Sequence, residues 1–147
     1  MRAVVQRVTA ARVRVEGENV AEIGAGLCAL LGIARGDDEA TAEHLAGRVA
    51  RLRILENDDG KFDRSVLDTG GSVLVVSNFT LIADSKHQKG TRPDFSEAAP
   101  AREAEVLYEA FCEALRASGV PVETGTFGAR MSLEIVNEGP VTIVLDI

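Results

Sequence analysis

The sequence predicts an α+β domain in which a mostly antiparallel sheet curls partly into a barrel and carries two packed helices. Three observations predict it. Apolar and polar residues alternate in strand fashion near both ends of the chain, two middle stretches follow helical spacing, and Leu27 to Ile33 is a continuous apolar run suited to a strand buried on both faces. At 147 residues the chain has the length of one domain, so residues 1–147 are expected to share a single core.

Val4, Gln6 and Val8 alternate with Val5 and Arg7, and Arg12 to Glu16 alternates charged with apolar before Gly17-Glu18-Asn19, which reads as a hairpin. A short strand continues from Val20 to Ile23. Asp37-Asp38-Glu39 supplies acidic capping residues for a helix with apolar positions Ala42, Leu45, Val49 and Leu52. Asn57-Asp58-Asp59-Gly60 and Gly70-Gly71 are turns, and Ser72 to Leu81 reads as a strong strand with a polar quartet near its far end. The polar stretch from Asp84 to Ala99, with Gly90 and Pro93, is a long loop. Pro100 opens a second helix whose apolar stripe is Ala104, Leu107, Tyr108, Phe111 and Leu115, closed by Gly119. Two final strands, Met131 to Ile135 and Val141 to Ile147, flank an Asn137-Glu138-Gly139-Pro140 turn.

Hydrophobic residues make up 46% of the chain and charged residues 27%, a balance that folds in water, and the N-terminal run is interrupted by charge too soon for a signal peptide. No apolar run approaches membrane-spanning length, so a cytoplasmic chain is expected. The 16 basic and 23 acidic residues give a formal charge of −7, which disfavours strong non-specific binding to nucleic acid. Any contact with RNA must then be local.

Most catalytic chemistries find no support. The only histidines are His44, on a helix, and His87, in the polar loop, where it is either solvated or placed against a phosphate. Neither has a second ligand at zinc spacing, and no metal or cofactor is expected. Cys28 and Cys112 match no metal or redox spacing and read as buried hydrophobes. Asn57 to Asp63 lacks the alternating ligands and closing glutamate of a calcium loop. Gly24-Ala25-Gly26 lacks the residues that complete a phosphate cradle. Two stretches hold more. Ser77-Asn78-Phe79-Thr80 puts polar groups at the end of an apolar strand, where they face either a cleft or, on an edge strand, solvent. Gly139-Pro140 reads as a rigid turn.

Taken together, these stretches resemble the D-aminoacyl-tRNA deacylase family along nearly the whole chain. The matching segments are Gln6-Arg7-Val8, Gly24 to Leu27, Gly70 to Ser77, Phe79-Thr80-Leu81, Gly90 with Arg92-Pro93 and Phe95, and Asn137 with Gly139-Pro140-Val141-Thr142. The family pattern has glutamine where this chain has Asn78. The resemblance implies hydrolysis of the ester of D-aminoacyl-tRNA, and also of glycyl-tRNA, without a cofactor. It implies that Ser77, Phe79 and Thr80 line the pocket for the terminal adenosine and the ester; with no histidine in an obvious position to serve as its base, Thr80 is expected to position rather than attack. It further implies a homodimer in which a cis Gly139-Pro140 enters the partner's pocket, held by Arg7, and rejects L-amino acids. Two rivals are a relaxed deacylase that accepts small L-amino acids and a non-catalytic nucleic-acid-binding module.

Overall fold

The computed structural model describes residues 1–147 except Ser85, His87 and Lys89. The fold is α+β with a nearly closed, barrel-like sheet. Its organising strand is β1 (Arg2–Val15), 14 residues long. One side of β1 pairs along its whole length with β8 (Ser132–Asp146); the other pairs first with β3 (Gly26–Gly32) and then with β2 (Glu18–Ile23), all antiparallel. β6 (Ser72–Ser77) follows β3, and β7 (Val122–Thr124) follows β6, both pairings parallel. The sheet is thus mixed, with two parallel ladders beside three antiparallel ones.

Side-chain alternation splits the core in two. Leu27, Ala29 and Leu31 of β3, with Val73 and Val75 of β6, meet the helices α1 (Glu39–Ala50) and α3 (Ala101–Ala117) through Leu45, Val49, Phe111 and Leu115. Cys28, Leu74 and Val76 point the other way, into a second cluster with Val8, Ala11, Val13 and Ile23. β3 and β6 are therefore buried on both faces, as the apolar run at Leu27 to Ile33 requires. β1 changes allegiance midway: Ala3 and Val5 face the helices, Val8 and Ala11 the inner cluster, and register shifts on either side of Val8 allow the switch.

Several expectations are corrected. The first hairpin turns at Glu16-Gly17 (φ 50° and 80°), one residue earlier than Gly17-Glu18-Asn19, because two consecutive positive φ values close a two-residue connection that matches strand twist. The strand expected to reach Leu81 ends at Ser77, and Phe79–Ile82 forms a 3₁₀ turn. Its neighbour β3 pairs only to Leu31, so beyond Ser77 there is no ladder to extend. The two final strands are one, β8, in which residues 138–141 bulge outward between the pairs Gln6↔Thr142 and Val8↔Asn137. Both halves keep pairing with β1, so Gly139-Pro140 is a protrusion from a strand, not a hairpin turn. Helix α1 stops at Ala50, before Leu52.

A short hairpin, one helical turn and one short strand lacked a strong periodic signal. Leu55–Glu56 and Phe62–Arg64 (β4 and β5) form a separate hairpin around the Asn57 to Gly60 turn. Val66–Thr69 (α2) is one helical turn fixed by a capping box between Ser65 and Asp68. The short strand is β7. No described helix is long and apolar enough to cross a membrane.

Candidate active site

A cavity of about 540 Å³ opens where β3 and β6 end. Its floor is Leu31 and Ile33, one wall is Ser77, Asn78 and Phe79, and the opposite wall comes from Ala99, Ala101 and Ala104 at the start of α3. Phe127, Gly128, Ala129 and Met131, between β7 and β8, close the remaining side. The small side chains at the head of α3 keep the volume open, while Phe127 packs against Tyr108, whose hydroxyl donates to Val75 O at 2.8 Å and so ties α3 to β6.

The 3₁₀ turn fixes the polar wall. Asn78 N–H donates to Leu31 O at 2.8 Å, which anchors the turn to the last residue of the β3 ladder. Gly32 makes room for it, since a Cβ there would stand 2.9 Å from Leu81 Cβ and 3.1 Å from Asn78 O. The Asn78 side chain does not cap the turn. It accepts the Thr80 hydroxyl proton instead, leaving the first N–H groups of the turn without a side-chain acceptor from the cap. Phe79 is largely exposed, with its ring edge-on to Phe95 at 5.2 Å.

Of the residues expected in the site, Ser77, Asn78 and Phe79 line the cavity together. Thr80 stands beside it, exposed and bonded to Asn78. Gly139, Pro140 and Arg7 do not join them within one chain. The bulge lies level with Arg7, Leu27 and Val73, three strand positions away from β6 and four residues short of Ser77, a separation of about 20 Å measured along the sheet at ordinary strand spacings.

The bulge is nonetheless a built feature. The peptide bond Gly139-Pro140 is cis, both residues are exposed, and Gly139 has φ 131°. A Cβ at 139 would stand 2.8 Å from Val141 Cγ2, so only glycine fits. Asn137 closes the base of the bulge: its Oδ1 accepts Val141 N–H at 2.8 Å and its Nδ2 donates to Val141 O. Arg7, 5% exposed, donates from Nε to Glu138 O at 3.0 Å.

The two cysteines are inert. Burial pushes the Cys28 thiol up to about 12 and the Cys112 thiol up to about 11, so neither is a thiolate near neutral pH. His44 is exposed on α1, and His87 lies outside the described residues. No cluster of three metal-ligating side chains occurs among the described residues. Sequence reading missed the Phe127 to Ala129 wall; its only trace is an aromatic residue bracketed by Gly125 and Gly128 just after β7.

The D-Tyr-tRNA(Tyr) deacylase family profile matches residues 4–146. A D-aminoacyl-tRNA deacylase of Thermomicrobium roseum is 58% identical over 99% of this chain and 94% of its own length. One of Ruegeria pomeroyi is 54% identical over the whole of both chains. Among solved structures, the c-Myc DNA Unwinding Element Binding Protein superposes with a TM-score of 0.93 at 44% identity, covering 100% of this chain and 99% of its own. A probable eukaryotic D-amino acid tRNA deacylase superposes at 0.83 with 19% identity, covering 99% and 98%, which speaks to the fold alone.

Proposed function

Because the chain belongs to the D-Tyr-tRNA(Tyr) deacylase family and with it is a hydrolase of the D-aminoacyl-tRNA ester, we propose that the cavity beside the 3₁₀ turn holds the terminal adenosine and the aminoacyl group. The observation that carries this reading is the pairing of an apolar cavity of nucleoside size with a turn whose leading N–H groups have no side-chain cap. Water adds to the ester carbonyl carbon and negative charge grows on the carbonyl oxygen. The N–H groups of Phe79 and Thr80 stabilise that charge. The bond to the ribose oxygen then breaks, the ribose oxygen takes the proton that the attacking water gives up, and free amino acid and tRNA leave.

Thr80 positions rather than attacks. Its hydroxyl donates to an amide oxygen, which is not a base, and His44 is exposed on α1. The substrate's neighbouring ribose hydroxyl helps to orient the water. Asn78 holds Thr80 with an amide one methylene shorter than the family's glutamine.

Chiral selection falls to Gly139-Pro140 of a second copy. A backbone protrusion cannot rotate away as a side chain can, so it leaves room for hydrogen and excludes an L side chain. Glycyl esters, with nothing to exclude, are accepted too. Supporting this are the exposure of the bulge, the Arg7 hold on Glu138 O, and the separation from the cavity within one chain. The free edge of β8 carries exposed Val136 and Val144 and offers the second copy an apolar surface. Such a homodimer would work where charged tRNA is found, in the cytoplasm.

One solved relative's name refers to a DNA element, which favours a nucleic-acid-binding module as the second reading, although a formal charge of −7 gives little general attraction for polyanions. Deacylation of D-tyrosyl-, glycyl- and L-alanyl-tRNA separates the possibilities. Hydrolysis of the first two with the third spared is expected. Loss of L-alanine would mark the relaxed form, and binding without hydrolysis the module.

A further inference from the structure

Arg7 is held from more directions than its bond to the bulge requires. Its Nη1 donates to Ile54 O and to Glu56 Oε1, each at 3.2 Å, and its guanidinium lies over the Phe62 ring, 5.5 Å from the centroid. Its Nη2 is 3.2 Å from the position a Cβ on Gly139 would take. Glu56 and Phe62 are cross-strand partners in the β4–β5 hairpin, so their side chains leave the same face. The hairpin has no ladder to the main sheet.

It is braced from within. Asn57 Oδ1 accepts the N–H groups of Asp59 and Lys61, at 2.9 and 3.0 Å. Arg53 pairs with Asp63, and Arg64 with Asp58. Stability does not explain its two contact residues. The Glu56 carboxylate is 48% exposed, where solvent screens an ion pair to little net worth. Phe62 is 53% exposed, so most of its ring gains nothing from burial. What both supply is a fixed seat for the Arg7 fork.

We infer that the β4–β5 hairpin is a specificity clamp in which Glu56 and Phe62 are positioning residues that set the Arg7 guanidinium and, through Glu138 O, the place of the Gly139-Pro140 bulge. This rests on the wedge reading above. Glu56 holds one end of the fork and Phe62 covers its face, so Nε keeps its aim at Glu138 O. Without them Ile54 O alone restrains the far end, and the bulge gains freedom to yield to an L side chain.

The test uses the full-length protein with Glu56→Ala combined with Phe62→Leu. Two quantities are read: the ratio of kcat/KM for D-tyrosyl-tRNA over L-tyrosyl-tRNA, and the Arg7 Nε–H resonance in ¹⁵N NMR. The clamp predicts a ratio lowered about tenfold, the scale of losing one charged hydrogen bond and one cation–π contact, with the Nε–H resonance broadened or moved. Glu56→Gln, which keeps an acceptor oxygen, should restore most of the ratio in the presence of Phe62. Asp58→Ala, which breaks an exposed ion pair of the same hairpin away from Arg7, should leave both readouts at parental values. An equal loss with Asp58→Ala would reduce the effect to hairpin stability and overturn the clamp. So would a parental ratio in the double variant while Arg7→Lys lowers it. If Arg7→Lys also leaves the ratio unchanged, the wedge reading itself fails and the clamp goes with it.

Discussion

The Thr80 hydroxyl donates to Asn78 Oδ1, the side chain two residues before it, inside the turn that forms the polar wall of the cavity. Asn78 in turn is anchored through its own N–H to Leu31 O. The order of support runs from the core strand to the amide and from the amide to the hydroxyl, which places Thr80 at the end of a positioning chain.

Thr80→Ala should therefore slow D-aminoacyl-tRNA hydrolysis by roughly ten- to a hundredfold, as for removal of one supporting hydrogen bond, without abolishing it. Thr80→Ser should keep most of the rate. Single-turnover assays with enzyme in saturating excess over substrate measure this, and complete loss with intact folding and tRNA binding would argue for a covalent role.

Gly32→Ala tests whether the turn must lie flat on β3. The added methyl would meet Leu81 Cβ at 2.9 Å, Asn78 O at 3.1 Å and Ile82 Cδ1 at 3.1 Å, so the whole turn has to lift. Overpacking of this kind costs about 1–3 kcal/mol, and displacement of catalytic donors costs rate as well. Lowered thermal stability together with a deeper loss of kcat is expected. An unaltered kcat would show that the turn does not hold the reacting ester.

Much of this was legible beforehand. The Leu27 to Ile33 run, the apolar stripe of α3 and the strand character of both chain ends all follow from periodicity, because burial imposes it. What periodicity could not show is where an element stops for tertiary reasons. Ser72 to Leu81 reads as one strand, yet it ends at Ser77 because its neighbour's pairing ends there. Asn137 to Pro140 reads as a hairpin turn because Gly-Pro usually is one, whereas β1 continues past it and pairs with both flanks. The polar wall Ser77, Asn78 and Phe79 was visible as an oddity at a strand end. The Phe127 to Ala129 wall, which owes its place only to the path between β7 and β8, was not.

The capping box of α2 makes a pH prediction. Hydrogen bonds from Ser65, first its backbone N–H and then its hydroxyl, hold the Asp68 carboxyl below its ordinary range. A carboxyl depressed in the folded state adds stability above its unfolded pKa, about 4. That contribution is lost as pH falls through the lower folded value. Asp68→Ala should therefore lower the thermal midpoint at pH 7, and the gap to the parent should narrow as pH drops toward 3. A gap that stays constant from pH 7 to pH 3 would mean that the carboxylate charge plays no part in the cap.

Whether the bulge acts across a subunit boundary can be decided by mixing two defective chains. Gly32→Ala damages the cavity wall and leaves the bulge alone. Gly139→Ala damages the bulge, since its Cβ would press on Val141 Cγ2 at 2.8 Å, and leaves the cavity alone. Each homodimer has two broken sites, since the Gly139→Ala methyl crowds the bound D-aminoacyl group where the bulge meets it. If the cavity of one chain works with the bulge of the other, a mixed dimer unites the intact cavity of the Gly139→Ala chain with the intact bulge of the Gly32→Ala chain. Its second site carries both defects. Refolding an equal mixture gives mixed dimers about half the time, so about a quarter of the parental number of sites should return. If cavity and bulge instead serve each other within one chain, every site in every dimer stays broken and the mixture shows no more activity than its two components measured apart. The roughly 20 Å that separates the two features along one chain's own sheet favours the first outcome.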